Sequence, residues 1–352
     1  MQSVVRSESA PHPVNHPDRT GVLIVIVNYC CAALTVRCLE ALHPQVVARD
    51  DVRVVVVDNA SPDGSAQALQ AAIDTHQWSD WVSLSVSPVN GGFASGNNFA
   101  LRPALTGSRP PEFVWLLNPD TEVRANALST LESFMRQHPR AGVVGGSYED
   151  NGGVVWPYAF RFPSVLGELD AGMRWGALSR LLVRFVVAQP MEDRNQAVDW
   201  LCGANLMIRS KVFERTGLMD DRYFLYFEET DFCLQAARSG WERWYVPACR
   251  VMHHGGGSTG FSSDDEHPKR MPGYWFESRR LYFQKNHGWA YAALCDLLWV
   301  TGFAIWRIRR ILQGKPDRDP PHLLADFLRH SVLWNWKLPV NAKFGEKRNG
   351  ST

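Results

Sequence analysis

Between Gly21 and about Tyr148, short unbroken apolar runs alternate with stretches of helical character, and no other feature of the chain restricts its fold as strongly. The runs are Val22 to Val27, Arg53 to Val57, Trp81 to Val86, Phe113 to Leu117 and Gly142 to Gly146. Between them lie Ala32 to Leu42, Ser65 to Ile73, Ala94 to Leu105 and Ala125 to Gln137. A strand with one wet face alternates apolar and polar side chains. These runs are apolar at successive positions, as in parallel strands covered by helices on both faces. The expected fold class is α/β, a mostly parallel sheet with helices on each side. Such sheets bind ligands beyond the carboxyl ends of their strands, near the point where strand order reverses. The polar residues closing the runs are therefore the first candidates: Asn28-Tyr29, Asp58-Asn59-Ala60-Ser61 and Asn118-Pro119-Asp120.

The second half is less regular. From Gly152 to about Gln196 the periodicity weakens, and an irregular insertion with one helix is expected. Order returns at Val198 to Arg209, followed by a helix start at Ser210-Lys211 and an acidic segment, Tyr226 to Asp231, opening another helix. Glu242 to Pro247 and Arg250 to His253 read as two closing strands. Beyond Met271 the chain turns helical. Trp289 to Trp306 is apolar except for Asp296 and is followed by Arg307, Arg309, Arg310 and Lys315. Its length is at the lower edge for a membrane span. Two readings stay open: a helix lying on an anionic membrane surface through 289–315, and an ordinary buried helix. Residues 1–20 and 341–352 are expected to be disordered tails. Between them, 21–270 forms one domain of two halves, 21–148 binding nucleotide and 149–270 serving acceptor and catalysis, and 271–340 forms a helical extension.

Composition excludes several function classes. A formal charge of +1 offers no field for nucleic acid. Val22 to Val27 is too short for a signal-peptide core, so export is not expected. Seven cysteines, with no Cys-x-x-Cys spacing, fit packing residues in a reducing cytoplasm better than disulfides or structural zinc.

Several constellations could carry chemistry. Asp58, directly after Val54-Val55-Val56-Val57, is placed either to accept hydrogen bonds from a ribose or base or simply to close a turn. Asn90-Gly91-Gly92-Phe93-Ala94-Ser95-Gly96-Asn97-Asn98 is a glycine-rich loop entering a helix, suited to close approach of a nucleotide, yet lacking the patterns of a Walker or dinucleotide loop. Asp120 is a candidate ligand for a hard cation, Mg2+ or Mn2+, whose remaining positions a substrate diphosphate would fill. A helix-capping turn explains it equally. Of His253 and His254, adjacent on an extended backbone, one at most faces a given site. Glu228, Glu229 and Asp231 crowd one helix start, as a poised base or as a solvated N-terminus.

In chain order, Ile26-Val27-Asn28-Tyr29, Val57-Asp58-Asn59-Ala60-Ser61, the loop from Asn90 to Asn98, Leu116-Leu117-Asn118-Pro119-Asp120, Gly203-Ala204-Asn205-Leu206-Met207-Ile208-Arg209, Phe224 to Asp231 and His253-His254-Gly255-Gly256-Gly257-Ser258 resemble family 2 glycosyltransferases. The closer likeness is to the rhamnosyltransferase-like branch that builds bacterial surface polysaccharides, over roughly residues 21–290. The resemblance implies a GT-A fold, inverting transfer from a nucleotide-sugar, and a divalent cation. It implies that Asn28, Asp58, Asn90, Gly91, Gly92, Asn97, Asn118 and Asp120 hold the donor. Asp120 with His253 or His254 would meet the metal, and Glu229 would be the base, with Glu228 and Asp231 as rivals. Asn118 stands where the family signature has its first aspartate, and Glu229 where it has an aspartate. The implied donor is a dTDP- or UDP-sugar, rhamnose favoured, and the implied acceptor a polyprenyl-diphosphate-linked glycan at the inner face of the cytoplasmic membrane. Alternatives are transfer of galactofuranose or N-acetylglucosamine, or nucleotide-sugar binding without catalysis.

Overall fold

The computed structural model describes residues 21–338 except 151, 157–158, 190 and 255–267. Expectations for the two tails and for the Gly255-Gly256-Gly257-Ser258-Thr259 loop fall outside the described residues. In chain order the first half contains β1 (Val22–Asn28), α1 (Ala32–Val46), β2 (Val52–Asp58), α2 (Ser65–Thr75), β3 (Val82–Val86), α3 (Gly92–Thr106), β4 (Phe113–Leu117), β5 (Thr121–Val123), α4 (Ala127–Gln137) and β6 (Ala141–Glu149). The alternation is as expected, apart from the short β5, which has too few residues to show a period.

The weakly periodic region departs from expectation. After β7 (Val155–Trp156) and β8 (Ala159–Phe160) it forms two helices, α5 (Val165–Met173) and α6 (Gly176–Leu181), where one was expected. Ser164 starts α5 by accepting a hydrogen bond from the Gly167 amide, and Arg174, at φ +47°, ends it before α6 begins. Next come β9 (Gln196–Ala197), β10 (Trp200–Leu201), β11 (Asn205–Arg209), α7 (Ser210–Thr216), α8 (Glu228–Arg238) and β12 (Glu242–His253). β12 is one strand where two were expected. Its pairing with β6 shifts register between Tyr245 and Arg250. Pro247, which has no N–H to donate, lies in that gap, and the Ser147 hydroxyl donates to its carbonyl at 3.0 Å. The chain closes with α9 (Gly273–His287), α10 (Trp289–Leu312) and α11 (Leu323–His330).

The main sheet runs β3-β2-β1-β4-β11-β6-β12-β5, with β7 beside β6 and β9 beside β12. It is parallel through β3-β2-β1-β4 and again at β6-β12, while β11 enters antiparallel between β4 and β6. The chain lays β1, β2 and β3 outward in one direction, then returns to set β4 on the other side of β1. The crevice beyond the carboxyl ends of β1 and β4 is thus the switch point. The unbroken apolarity of β1 has a direct cause: Val22, Ile24 and Ile26 enter one core, and Leu23, Val25 and Val27 enter the other.

The C-terminal helices are tied to the insertion by a buried ion cluster. Arg279 of α9 donates to Asp296 of α10 at 2.5 Å and to Glu168 of α5 at 2.7 Å. Asp296 also accepts from the Ser331 hydroxyl at 2.6 Å and the Val332 amide at 2.9 Å. α10 crosses α5 backbone to backbone: a Cβ on Gly172 would lie 2.4 Å from the Trp299 carbonyl oxygen. Removing only the cation would leave two carboxylates buried without compensation. Arg279→Leu is expected to destabilise the fold by about 3–5 kcal/mol, read as a lowered urea midpoint; an unchanged midpoint would show that the cluster does not hold these helices.

Candidate active site

Asn28 and Asp58 end β1 and β2 in register with each other. The Asn28 amide donates to Asp58 at 2.8 Å, and its oxygen accepts from the Thr35 hydroxyl at 2.9 Å. Asp58 also accepts from the Ser61 backbone amide at 3.0 Å. Both side chains are buried, so the pair forms a bonded floor under the switch point. The loops above it bend through left-handed residues, Cys30 at φ +54° and Ala60 at φ +60°.

The glycine-rich loop makes a close contact within the protein itself. Asn90 accepts from the Gly92 amide at 3.0 Å and from Asn59 at 2.9 Å, which starts α3. Gly92 has φ +85°, and a Cβ there would lie 1.8 Å from the Phe224 carbonyl oxygen. That oxygen accepts from the Phe93 amide at 3.0 Å. The close approach at Gly92 is therefore to the segment leading into α8. A Cβ on Gly91 would meet the Ser95 side chain. Asn97 donates to the Phe93 carbonyl at 2.9 Å, and its buried oxygen has no hydrogen-bond partner.

Asp120 lies between β4 and β5, 1% exposed, and among the described residues neither carboxylate oxygen accepts a well-formed hydrogen bond. His253 Nε2 stands 3.3 Å from its Oδ1. Burial alone would raise the Asp120 pKa, but His253 outweighs it and holds the carboxyl below its usual range. His254 turns the other way and meets Glu122 at 2.9 Å, which Arg37 also pairs at 2.5 Å. Of the two histidines, His253 faces Asp120. Asn118 is held through its backbone, its amide donating to the Ala204 carbonyl at 3.1 Å.

The three carboxylates at the start of α8 have different surroundings. Tyr226 and Phe227 precede it at φ +70° and +68°, two consecutive side-chain-bearing residues in the left-handed region, strain that tends to be retained at sites. Asp231 is buried and locked onto α9: Lys285 pairs with it at 2.6 Å and Asn286 donates to it at 2.7 Å. It is a fastening to α9, which argues against its standing as a rival base. Glu228 is buried, and Glu229 is partly open. Burial pushes both pKa values up, with the Glu229 charge raising Glu228 further, while backbone hydrogen bonds from Gly203 and Thr230 restrain the rise at Glu229. Adjacent carboxylates titrate as a pair. Burial acts on both, and the rise is the greater at Glu228.

The two acidic regions meet across the Cys202-Gly203-Ala204 loop between β10 and β11. Ala204 touches Asn118, and a Cβ on Gly203 would lie 3.8 Å from Glu229 Cβ. The Cys202 thiol reports both sides: burial, then the Glu229 and Asp120 carboxylates, push its pKa up to about 12. Tyr148, whose hydroxyl donates to the Cys202 carbonyl at 3.2 Å, brings its ring 5.6 Å from that of His253. Sequence reasoning placed neither Gly203 nor Tyr148 in the site. Gly203 bears no functional group, and its only signal was its place in the ordered motifs. Tyr148 ends an apolar strand with no signal of its own. Among the described residues no group of three or more potential ligands forms a closed metal cage. The buried carboxylate of Asp120, with His253 beside it, nevertheless suits a hard cation whose other positions belong to phosphate.

A sequence model of Glycosyl transferase family 2 matches residues 23–215, more than half of the 352 residues. An N-acetylglucosaminyl-diphospho-decaprenol L-rhamnosyltransferase of Mycobacterium tuberculosis is 29% identical over 256 residues, covering 68% of this chain and 78% of that one. Rhamnosyltransferase WbbL of Escherichia coli is 23% identical, covering 66% and 83%. Among solved structures, GalNAc-T7 with UDP, GalNAc and Mn2+ superposes with a TM-score of 0.55 at 12% identity, over 83% of this chain and 54% of that chain. A Pyrobaculum calidifontis mannosyltransferase with GDP-Man and Mn2+ gives 0.51 at 18% identity, over 92% and 84%. These structural likenesses establish the expected GT-A fold, and with the family match extending from β1 into α7, the chain is a glycosyltransferase and belongs to glycosyl transferase family 2.

Proposed function

We propose that this enzyme moves rhamnose, with inversion, from a dTDP- or UDP-sugar to a hydroxyl of a polyprenyl-diphosphate-linked glycan at the inner face of the cytoplasmic membrane, in surface polysaccharide synthesis. The observation that carries the reading is the placement, on either side of one loop, of a buried Asp120 beside His253 and of Glu229 beside Glu228, its pKa raised by burial. Both rhamnosyltransferase relatives favour the sugar, and the decaprenol-diphosphate substrate named for the Mycobacterium tuberculosis protein favours the carrier.

Asn28 and Asp58 would seat the base and ribose end of the donor, with Asn90, Gly91, Gly92 and Asn97 shaping the adjoining wall. Asp120 and His253 would hold a divalent cation, Mg2+ or Mn2+, which when bound offsets charge on the diphosphate leaving group. His254, fastened to Glu122, would position rather than ligate. Glu229 accepts the proton of the acceptor hydroxyl as that oxygen bonds to the anomeric carbon. The bond to the diphosphate oxygen breaks on the opposite face, its electron pair leaving with the nucleotide.

Glu229→Gln is expected to lower kcat about 10²- to 10⁴-fold with donor affinity nearly unchanged, while Asp231→Asn lowers the thermal midpoint and spares kcat. Full turnover in a folded Glu229→Gln would reassign the base to Glu228. Because burial holds Glu229 above the ordinary glutamate value of about 4.3, kcat/KM should fall as pH drops through a limb above that value. A limb at or below it would remove Glu229. A panel of nucleotide-sugars should raise the thermal midpoint more with Mn2+ or Mg2+ than with chelator, the shift being lost in Asp120→Asn. Equal shifts with and without the cation would remove the metal from the reading.

A further inference from the structure

α10 has two faces with opposite fates. Its inner positions, including Ala292, Cys295, Trp299 and Phe303, pack inside, and Asp296 and Arg310 are buried with them. At 100° per residue, the outer positions Leu294, Leu297, Ile305, Ile308, Ile311 and Leu312 centre about 180° away. They are 44%, 55%, 37%, 61%, 70% and 81% exposed. From Leu294 to Leu312 this stripe runs about 27 Å and carries no charge. Thr301 lies within it, and its hydroxyl turns back to the Leu297 carbonyl at 2.8 Å, hiding the one polar group. A helix face meant for water carries charges at such positions.

We infer that this face is a membrane-docking surface, with α10 lying in the plane of an anionic lipid leaflet rather than crossing it. Crossing would expose to lipid the Asp296 cluster and the α5 crossing that hold the inner face. The stripe is edged by Arg307 on one side and Arg309 on the other. Arg309 stacks over Trp175 at 5.3 Å, so the start of α6 adjoins that edge. At and beyond the end of α6, Leu181, Val183 and Phe185 are also exposed, at 79%, 49% and 40%. Residues 174–188 contain three arginines and no acid, and residues 304–322 five basic residues against two aspartates, Asp317 and Asp319, which pair with Arg174, Arg307 and the buried Arg310; Arg309, Lys315 and Arg318 add to the basic flank in a chain whose overall charge is only +1. Basic flanks beside an apolar stripe complement anionic headgroups. A twofold dimer through the same face would instead set these basic residues against their own copies. The inference deepens the lipid-linked acceptor reading but stands on this surface alone.

Flotation of the full chain tests it, with phosphatidylglycerol–phosphatidylcholine vesicles against pure phosphatidylcholine. The chain should float with the anionic vesicles, less with neutral ones, and less at high salt. Ile308→Glu with Leu312→Glu should weaken partition more than about tenfold, with the thermal midpoint and turnover on a short water-soluble acceptor unchanged. Leu181→Glu should weaken it independently. A chain that stays at the bottom of the gradient, or a double variant that floats equally well, overturns the inference. So does light scattering that finds a dimer broken by the double variant without vesicle binding. Failure to float with soluble turnover intact would leave the transfer chemistry standing; the reverse pattern would sink the chemistry and keep the docking face.

Discussion

The site depends on backbone meeting backbone at Gly92 and Phe224. A Cβ at Gly92 would sit 1.8 Å from the Phe224 carbonyl oxygen, so the segment entering α8 can reach the carboxyl edge of the sheet only against a glycine there. From that contact follow the left-handed turn at Tyr226 and Phe227, the start of α8, and the placement of Glu228 and Glu229 over the Cys202-Gly203-Ala204 loop. Asp231 and Lys285 then fasten the back of α8 to α9. The antiparallel insertion of β11 beside β4 completes the geometry by carrying that loop to Asn118.

Two acidic groups on either side of the Cys202-Gly203-Ala204 loop are driven in opposite directions. Asp120 is nearly inaccessible, yet His253 keeps it below its usual range; among the described residues Glu229 has no cationic partner of that kind, and burial raises it. The same low-dielectric surroundings thus yield one carboxyl held acidic by its neighbour and another made more basic by burial. Division of roles between carboxylates comes from their neighbours, not from residue type.

The C-terminal helices extend this arrangement away from the cleft. α9 packs on the acidic segment through aromatic rings, Tyr274 near Tyr226 and Trp275 near Phe227, and the Arg279 cluster joins α9 to α10 and α5. The apolar outer face of α10 is therefore mechanically continuous with the helix that bears the catalytic candidate.

The α/β class and the switch-point residues were legible in the sequence because they depend on local order: unbroken β-branched runs need two covered faces, and polar residues closing them must lie at the sheet's edge. The ordered motifs carried the family for the same reason. What remained open were relations between side chains distant in sequence. Only tertiary structure turned His253 toward Asp120 and His254 toward Glu122, gave Asp231 to Lys285, and directed Gly92 to a protein carbonyl. It likewise decided that Trp289 to Leu312 is a helix half inside and half bare, since hydropathy sums a helix around its circumference while packing acts on one face. Sequence determines which groups are available and which local backbone they favour; burial and partner, which decide what each group does, exist only once the chain has closed.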